Sequence, residues 1–250
     1  MLELNEYNRC EQSSWCPGCA NFSILTGIKK TLAELNIAPH QAILVSGVGC
    51  FAKLPYWARV NGFVGLHGRS LPVAQGIKLA NPNLKVIAFG GDGDGYGEGG
   101  NHFIHACRRD LNVCYFVHNN NVFGLTTGQY SPTSEQGKKS KSSPLGSFEK
   151  PVNPLALAIA SGATFVARAY AGNLKEMVEI MKQAIEHNGF AFIDIIQPCV
   201  TYGFDYNYYA EKVYYLGGEF DSSNKGFAFE KALEYEQGDK IAIGVFYNIL

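Results

Sequence analysis

Residues 85 to 129 read KVIAFGGDGDGYGEGGNHFIHACRRDLNVCYFVHNNNVFGLTTGQ, and the parsing of that stretch decides the fold. Two short apolar runs, Val86 to Phe89 and Val113 to Val117, have the length and composition of buried strands in a parallel sheet. Each stops abruptly, the first in Gly90-Gly91-Asp92-Gly93-Asp94 and the second in Asn119-Asn120-Asn121. Between them a helix is expected from Gly100 to Arg109. Such a strand–helix–strand unit sets a carboxylate at one strand end beside amides at the next. Both then lie on the carboxyl edge of the sheet, where open α/β sheets bind their ligands.

The residue types specify a chemistry. Glycines let the backbone approach a bulky anion and offer it N–H groups. One carboxylate, one amide oxygen and one backbone carbonyl are hard donors that suit Mg²⁺ bridging a diphosphate. Gly91-Asp92-Gly93, followed one strand–helix–strand length later by Asn119-Asn120, resembles the thiamine-diphosphate-binding motif. The resemblance implies that Asp92, Asn120 and the backbone of Val122 hold the metal. Singly, a glycine turn and an Asn-rich turn are common loop devices. The spacing, the flanking strands and the motifs described next favour the cofactor site.

The chain has 250 residues, enough for one sizeable α/β domain with a buried core. Its 46% hydrophobic and 17% charged content fits a soluble globular protein. A net charge of −1 gives no electrostatic case for nucleic acid or an acidic membrane as partner. The opening MLELNEYNRCEQSS lacks a basic and then apolar leader pattern, and no run of about 18 apolar residues follows. A cytoplasmic location is the expectation.

Seven cysteines, an odd number spread along the chain, argue for metal or catalysis rather than a disulfide framework. Cys107 falls in the expected helix and Cys114 in a strand, so both read as small core hydrophobes. Trp15-Cys16-Pro17-Gly18-Cys19 presents two thiols at a tight turn, suited to a metal, a cluster or a redox dithiol. Asn21 is placed to cap a helix striped with Leu25, Ile28, Leu32 and Leu35. The strand Ala42 to Ser46 ends in Gly47-Val48-Gly49-Cys50, and the strand Phe192 to Ile196 runs into Gln197-Pro198-Cys199. Cys16, Cys19, Cys50 and Cys199 therefore converge on one sheet edge. Four thiolates complement either a [4Fe–4S] cluster or a structural Zn²⁺, and the spacing leaves cluster, zinc and unrelated cysteines open.

Gly65-Leu66-His67-Gly68-Arg69-Ser70 precedes a helix begun by Pro72 and can donate to phosphate oxygens, although a bare surface turn reads the same way. From Leu125 to about Asn153 the chain is polar and irregular, with Lys138, Lys139 and Lys141. A solvated loop is the simpler expectation for it, contact with an anionic coenzyme A phosphate the other. The α/β rhythm resumes with a helix at Leu155 to Ala160, a strand at Thr164 to Ala169 and an amphipathic helix at Leu174 to His187. Beyond Val200 the sequence is rich in Tyr and the rhythm fades until a last apolar run, Ile241 to Tyr247. The expected organisation is a cofactor-binding domain over residues 1–205 and a C-terminal extension over 206–250 that covers the domain or a partner chain.

Taken together, WCPGC, GVGC, LHGR, GGDGDGYGEGGNH, NNNVFGLTTGQYSPT and QPC resemble, in order and spacing, the β subunits of 2-oxoacid:ferredoxin oxidoreductases. The match runs over roughly residues 13 to 205, more weakly beyond. The resemblance implies a mostly parallel sheet flanked by helices, in the diphosphate-domain fold of thiamine-dependent enzymes. It implies that Cys16, Cys19, Cys50 and Cys199 hold a [4Fe–4S] cluster. It sets His67, Val48-Gly49-Cys50-Phe51, Gly91, Gly93-Asp94 and Gly124-Leu125 against thiamine diphosphate, and Lys53 near the substrate pocket. His67 and Lys53 are the expected catalytic residues.

The family reaction would be oxidative decarboxylation of a 2-oxoacid with coenzyme A, electrons passing to ferredoxin. WCPGC points, by resemblance, to 2-oxoglutarate or a broad-range acid. The family's Asp-Asn is Asn119-Asn120 here, its Thr-Gly-Gly is Thr126-Thr127-Gly128, and its WCPGCG ends in Ala20. These departures touch loop geometry and acid choice, not the ligands. A second domain carrying an activating Glu is expected on an obligate α subunit. The competing readings are an indolepyruvate:ferredoxin oxidoreductase half, a non-redox thiamine enzyme subunit and a zinc-stapled binding module.

Overall fold

Residues along Lys85–Gly91 alternate between two apolar cores: Val86 and Ala88 enter one, Ile87 and Phe89 the other. Cys114–Asn119 and Ala191–Ile196 do the same, with Phe116, Ile193 and Ile195 on one side and Tyr115, Val117 and Phe192 on the other. Strands covered on both faces need continuous apolar runs rather than polar alternation, which is why these segments read as they do. The computed structural model describes residues 2–237 and 240–249.

The strands are β1 (Ala42–Ser46), β2 (Asn61–Val64), β3 (Lys85–Gly91), β4 (Cys114–Asn119), β5 (Phe165–Tyr170), β6 (Ala191–Ile196), β7 (Val213–Tyr215) and β8 (Ile241–Asn248). The helices are α1 (Asn21–Glu34), α2 (Leu54–Trp57), α3 (Ser70–Ala80), α4 (Gly100–Arg109), α5 (Pro154–Ser161), α6 (Leu174–Glu186), α7 (Tyr206–Lys212) and α8 (Lys225–Gln237). One sheet carries the order β2-β1-β3-β4-β6-β5-β8-β7. It is parallel from β2 to β5, whereas β8 runs antiparallel to β5 and β7 pairs parallel with β8. Helices α1 and α6 pack together on one face; α3, α4, α5 and α8 form the row on the other. The expected α/β architecture is present.

Three details differ from the sequence reading. Asn21 does not cap α1; Ala20 holds that position, and the buried Asn21 side chain turns to Cys19 and His118. A buried amide goes to the polar partners in reach, and here those are not the free N–H groups of the helix. The region after Val200 does not lose its rhythm: the described part of it supplies α7, β7, α8 and β8. In β8, Ile241 and Ile243 join one core while Ala242 and Phe246 join the other. Finally, the segment between β4 and α5 is not a freely solvated loop. Asn121, at a left-handed φ of 56°, gathers it: its amide donates to Thr133 O at 2.7 Å, and its own carbonyl accepts from Ser134 Oγ and Lys138 Nζ, both at 2.7 Å.

Candidate functional site

Because β1, β3, β4 and β6 are mutually parallel, their carboxyl ends open on one edge, and the residues that follow them meet there. Gly47 to Cys50 follow β1, Asp92 follows β3, Asn120 follows β4, and Gln197 to Cys199 follow β6. The turn after β1 requires glycine twice. A Cβ on Gly47 would lie 2.4 Å from the Asp94 carboxylate oxygens, and Gly49 adopts φ of 146°. After Asp92 the chain makes a π-helical turn over Gly93–Glu98, a feature common at functional sites, which keeps Asp92 and Asp94 on the cleft side.

Asp92 is 2% exposed, and burial pushes its carboxyl above the usual range despite the hydrogen bonds it accepts. Its Oδ2 accepts from the hydroxyls of Ser131 and Thr133. Thr133 Oγ1 also lies 2.9 Å from Asn119 Oδ1. The Asn119 amide donates to Asp194 Oδ1 at 3.0 Å, where the Tyr96 hydroxyl donates as well. Asp194 Oδ2 accepts from Arg168 Nε at 3.1 Å, and both partners are buried. The Arg168 guanidinium stacks 4.5 Å from the Tyr235 ring centroid. One polar chain thus runs from the core of β5 and β6 to the oxygen of Asp92. Asn120 Oδ1 accepts from Val122 N at 3.2 Å, which folds the β4 turn back on itself.

Asp94 forms the other wall. Its Oδ1 accepts from the backbone N–H of Val48 at 3.0 Å and of Gly68 at 2.8 Å, locking the GVGC and HGR turns to one carboxylate. Burial raises its pKa to about 6, against the lowering effect of those N–H groups and of His67. Asp94 Oδ2 is buried without a partner. His67 Nδ1 stands 3.2 Å from Asp94 Oδ1 and 3.3 Å from Glu98 Oε2, near enough for an ion pair but off the line of a hydrogen bond to either.

A single cleft of about 90 Å³ is lined by all the residues expected at the diphosphate: Val48, Gly49, Cys50, Phe51, His67, Gly91, Gly93, Asp94, Gly124 and Leu125. Asp92, Asn120 and Val122, the expected Mg²⁺ set, line it too. That set fits the ion: a buried carboxylate held by two hydroxyls, an amide and a carbonyl are the hard-oxygen donors Mg²⁺ takes. Lys53 is not in the cleft; its Nζ rests on Ser14 Oγ at 3.2 Å beside the WCPGC segment. The cleft adds residues that the sequence reading did not single out, His118 and Gln197 among them. His118 is fully buried and its pKa is lowered to about 3 by burial, so the ring is neutral. Its position in an apolar strand gave no signal beyond that of a core histidine.

The cysteine segments are tied to the same edge. Trp15 Nε1 donates to Cys50 O at 2.7 Å, joining the WCPGC and GVGC turns. Burial raises the Cys50 thiol to about 11; Cys19, Cys199 and Cys16 disfavour its ionisation further, while Lys53 favours it. Cys19 is likewise raised, by burial first and by Cys199 and Cys16 last. Among the described residues no three His, Cys, Asp or Glu side chains close into a set that holds a single ion. Cysteines that disfavour each other's ionisation fit a multinuclear cluster, whose cationic core would remove that cost. Cys107 and Cys114 are buried in the core, as expected.

Comparison with known proteins agrees with this geometry. Residues 40–195 match the model of the thiamine pyrophosphate enzyme C-terminal TPP binding domain, so the chain is built on a thiamine pyrophosphate enzyme domain. Residues 199–249 match the model for the C-terminal region of the pyruvate ferredoxin oxidoreductase beta subunit. The beta subunit of 2-oxoacid:ferredoxin oxidoreductase 1 from Aeropyrum pernix is 48% identical over 94% of this chain and 77% of that protein. The corresponding subunit from Saccharolobus solfataricus is 45% identical over 96% of this chain and 83% of its own. A solved structure of 2-oxoglutarate:ferredoxin oxidoreductase from Magnetococcus marinus, with 2-oxoglutarate, coenzyme A and succinyl-CoA bound, covers 100% of this chain and 86% of the solved one. It is 37% identical, with a TM-score of 0.96. The chain belongs to the β subunits of the 2-oxoacid:ferredoxin oxidoreductases. Among the described residues no helix is long and apolar enough to cross a membrane.

Proposed function

We propose that the chain is the diphosphate-binding and electron-transferring half of an enzyme that oxidatively decarboxylates a 2-oxoacid, with 2-oxoglutarate the favoured substrate. Coenzyme A takes the acyl group, CO₂ leaves, and ferredoxin receives the two electrons; a [4Fe–4S] cluster held by this chain's cysteines would supply the one-electron relay between them. One observation carries this reading: Asp92, Asn120 and Val122 line the same cleft as Cys50, a member of the thiol group. A non-redox thiamine enzyme has no use for that adjacency. The solved relative holding 2-oxoglutarate and succinyl-CoA supports the choice of acid.

In this reading Asp92, Asn120 and the Val122 carbonyl hold Mg²⁺, and Cys16, Cys19, Cys50 and Cys199 hold the cluster. When bound, thiamine diphosphate supplies the carbanion that attacks the keto carbon and the sink for the electrons left behind. This chain binds and orients. The glycine turns at Gly49, Gly91, Gly93 and Gly124 admit the diphosphate, His67 would face it beside Asp94, and Lys53, on Ser14 beside the WCPGC segment, would attract the anionic acid. The cleft's volume of about 90 Å³ is far below the roughly 300–1,000 Å³ of pockets that enclose a small molecule. Among the described residues no glutamate lines it. An α subunit therefore supplies the other wall and the activating carboxylate, and the chain is inactive alone.

The test is to purify the chain anaerobically with its partner and measure ferredoxin reduction with each acid. Reduction that requires 2-oxoglutarate and coenzyme A together is the expected result; full turnover by the chain alone, or none with any 2-oxoacid, refutes the reading.

A further inference from the structure

The Cys19 sulfur is not bare. Asn21 Nδ2 lies 3.4 Å from it and Gln197 Nε2 3.8 Å, and both amides are buried. Neither floats. Asn21 Oδ1 is 2.7 Å from His118 Nδ1, and the Gln197 backbone N–H donates to Asn119 O at 2.8 Å. His118 packs its ring against Phe51 and Phe89, and its Nε2 is buried without a partner. His118 and Gln197 both line the thiamine cleft.

The direction of these bonds follows from chemistry. A metal-bound thiolate has no proton to give, so Asn21 must turn its N–H to sulfur and its carbonyl to the ring. The ring must then carry its proton on Nδ1, which leaves a lone pair on Nε2, in a ring that lines the cleft. Only a donor can satisfy it: a water, or an N–H or O–H of the cleft's occupant.

We infer that His118 and Asn21 form a hydrogen-bonded bridge between the thiamine cleft and the sulfur of Cys19, with Asn21 the positioning residue whose N–H stabilises the reduced cluster. The inference rests on the cluster assignment proposed above. Hydrogen bonds to cluster sulfurs favour the added electron, and outer partners that fix a ligand's orientation are among the strongest tuning devices at metal sites. Gln197 supplies a second N–H from the strand end beside Asn119, so both donors to Cys19 are held by β4, the strand that also carries Asn120 into the cleft.

The experiment is a redox titration of the assembled, anaerobically purified holoenzyme, reading the reduced cluster by electron paramagnetic resonance. Asn21→Leu removes the donor; Asn21→Asp keeps the shape and the acceptor for His118 but loses the N–H. Each is expected to shift the reduced-to-oxidised ratio at fixed potential about tenfold towards oxidised, about 59 mV for one electron. His118→Phe leaves the cysteine loop untouched and frees the Asn21 amide. It should move the ratio the same way by less, and broaden the spectrum. Loading the wild type with thiamine diphosphate and Mg²⁺ is expected to change its spectrum, and His118→Phe should abolish that change. If Asn21→Leu does not assemble the cluster, the other two variants decide. Unmoved potentials in iron-loaded variants overturn the bridge alone. A wild-type holoenzyme without iron overturns the cluster assignment, and the bridge with it.

Discussion

Thr133 Oγ1 sits 2.8 Å from Oδ2 of Asp92, a contact made across 41 residues of chain. It brings the polar segment after β4 onto the carboxylate that follows β3. Since Thr133 also reaches Asn119, one hydroxyl sets the orientation of two groups at the proposed metal site.

Thr133→Val should therefore weaken Mg²⁺-dependent binding of thiamine diphosphate about 10- to 100-fold, the usual effect of removing an outer hydrogen bond at a metal site. Asp92→Ala should weaken it further, since the charged ligand itself goes. Calorimetric titration of the holoenzyme stripped of cofactor measures both, and an unchanged affinity in Asp92→Ala would remove Asp92 from the site.

Asp94 makes stability depend on pH in a defined window. Its pKa rises from 3.8 to about 6 on folding, so between those values the native state binds the proton that the unfolded state has released. Stability is then highest below pH 3.8 as far as this group is concerned, and declines as pH rises through about 6. At about 1.36 kcal/mol per pH unit the effect is at most about 3 kcal/mol. Asp94→Asn keeps an acceptor for Val48 and Gly68 without the charge. It should flatten this decline and stabilise the cofactor-free protein at pH 7, read by denaturant unfolding at several pH values.

Arg168 and Asp194 are 1% and 0% exposed, and each loses its main charge partner if the other is truncated. Asp194→Ala should cost about 3–5 kcal/mol of folding stability, because it strands a buried guanidinium and releases Asn119 and Tyr96. Thermal or chemical denaturation measures it. A loss below about 1 kcal/mol would mean the pair does not organise the edge.

Iron analysis separates the cysteines. Cys16→Ser, Cys19→Ser, Cys50→Ser and Cys199→Ser should each lose or strongly deplete iron and acid-labile sulfide. Cys107→Ala should retain them, with about 1 kcal/mol lost from the core. Iron retained in all four serine variants would dissociate these thiols from any cluster.

The sheet was legible because its strands are buried on two faces. Val86 to Phe89 and Ala42 to Ser46 must be apolar at every position, and their abrupt ends in Gly, Asp and Asn mark where backbone and carboxylates face a ligand. For the same reason the expected cleft residues come together as one set. They follow parallel strands, and parallel strands end on one side. What the sequence did not disclose is which neighbours each of them meets. Asn21 read as a cap because capping is local and visible in one dimension, whereas the partner of its Oδ1, His118, lies 97 residues away on β4.

Periodicity, composition and turn chemistry are properties of neighbours along the chain, and they suffice for the α/β layering and the edge on which the site opens. Side-chain partnership is a property of neighbours in space. The links of Thr133 to Asp92, Asp194 to Arg168, His118 to Asn21, and β8 to β5 join residues from 26 to 97 positions apart, or whole elements, and exist only once the layers have closed. Burial then selects them, because a polar group removed from water must find whatever partner the packing brings within reach.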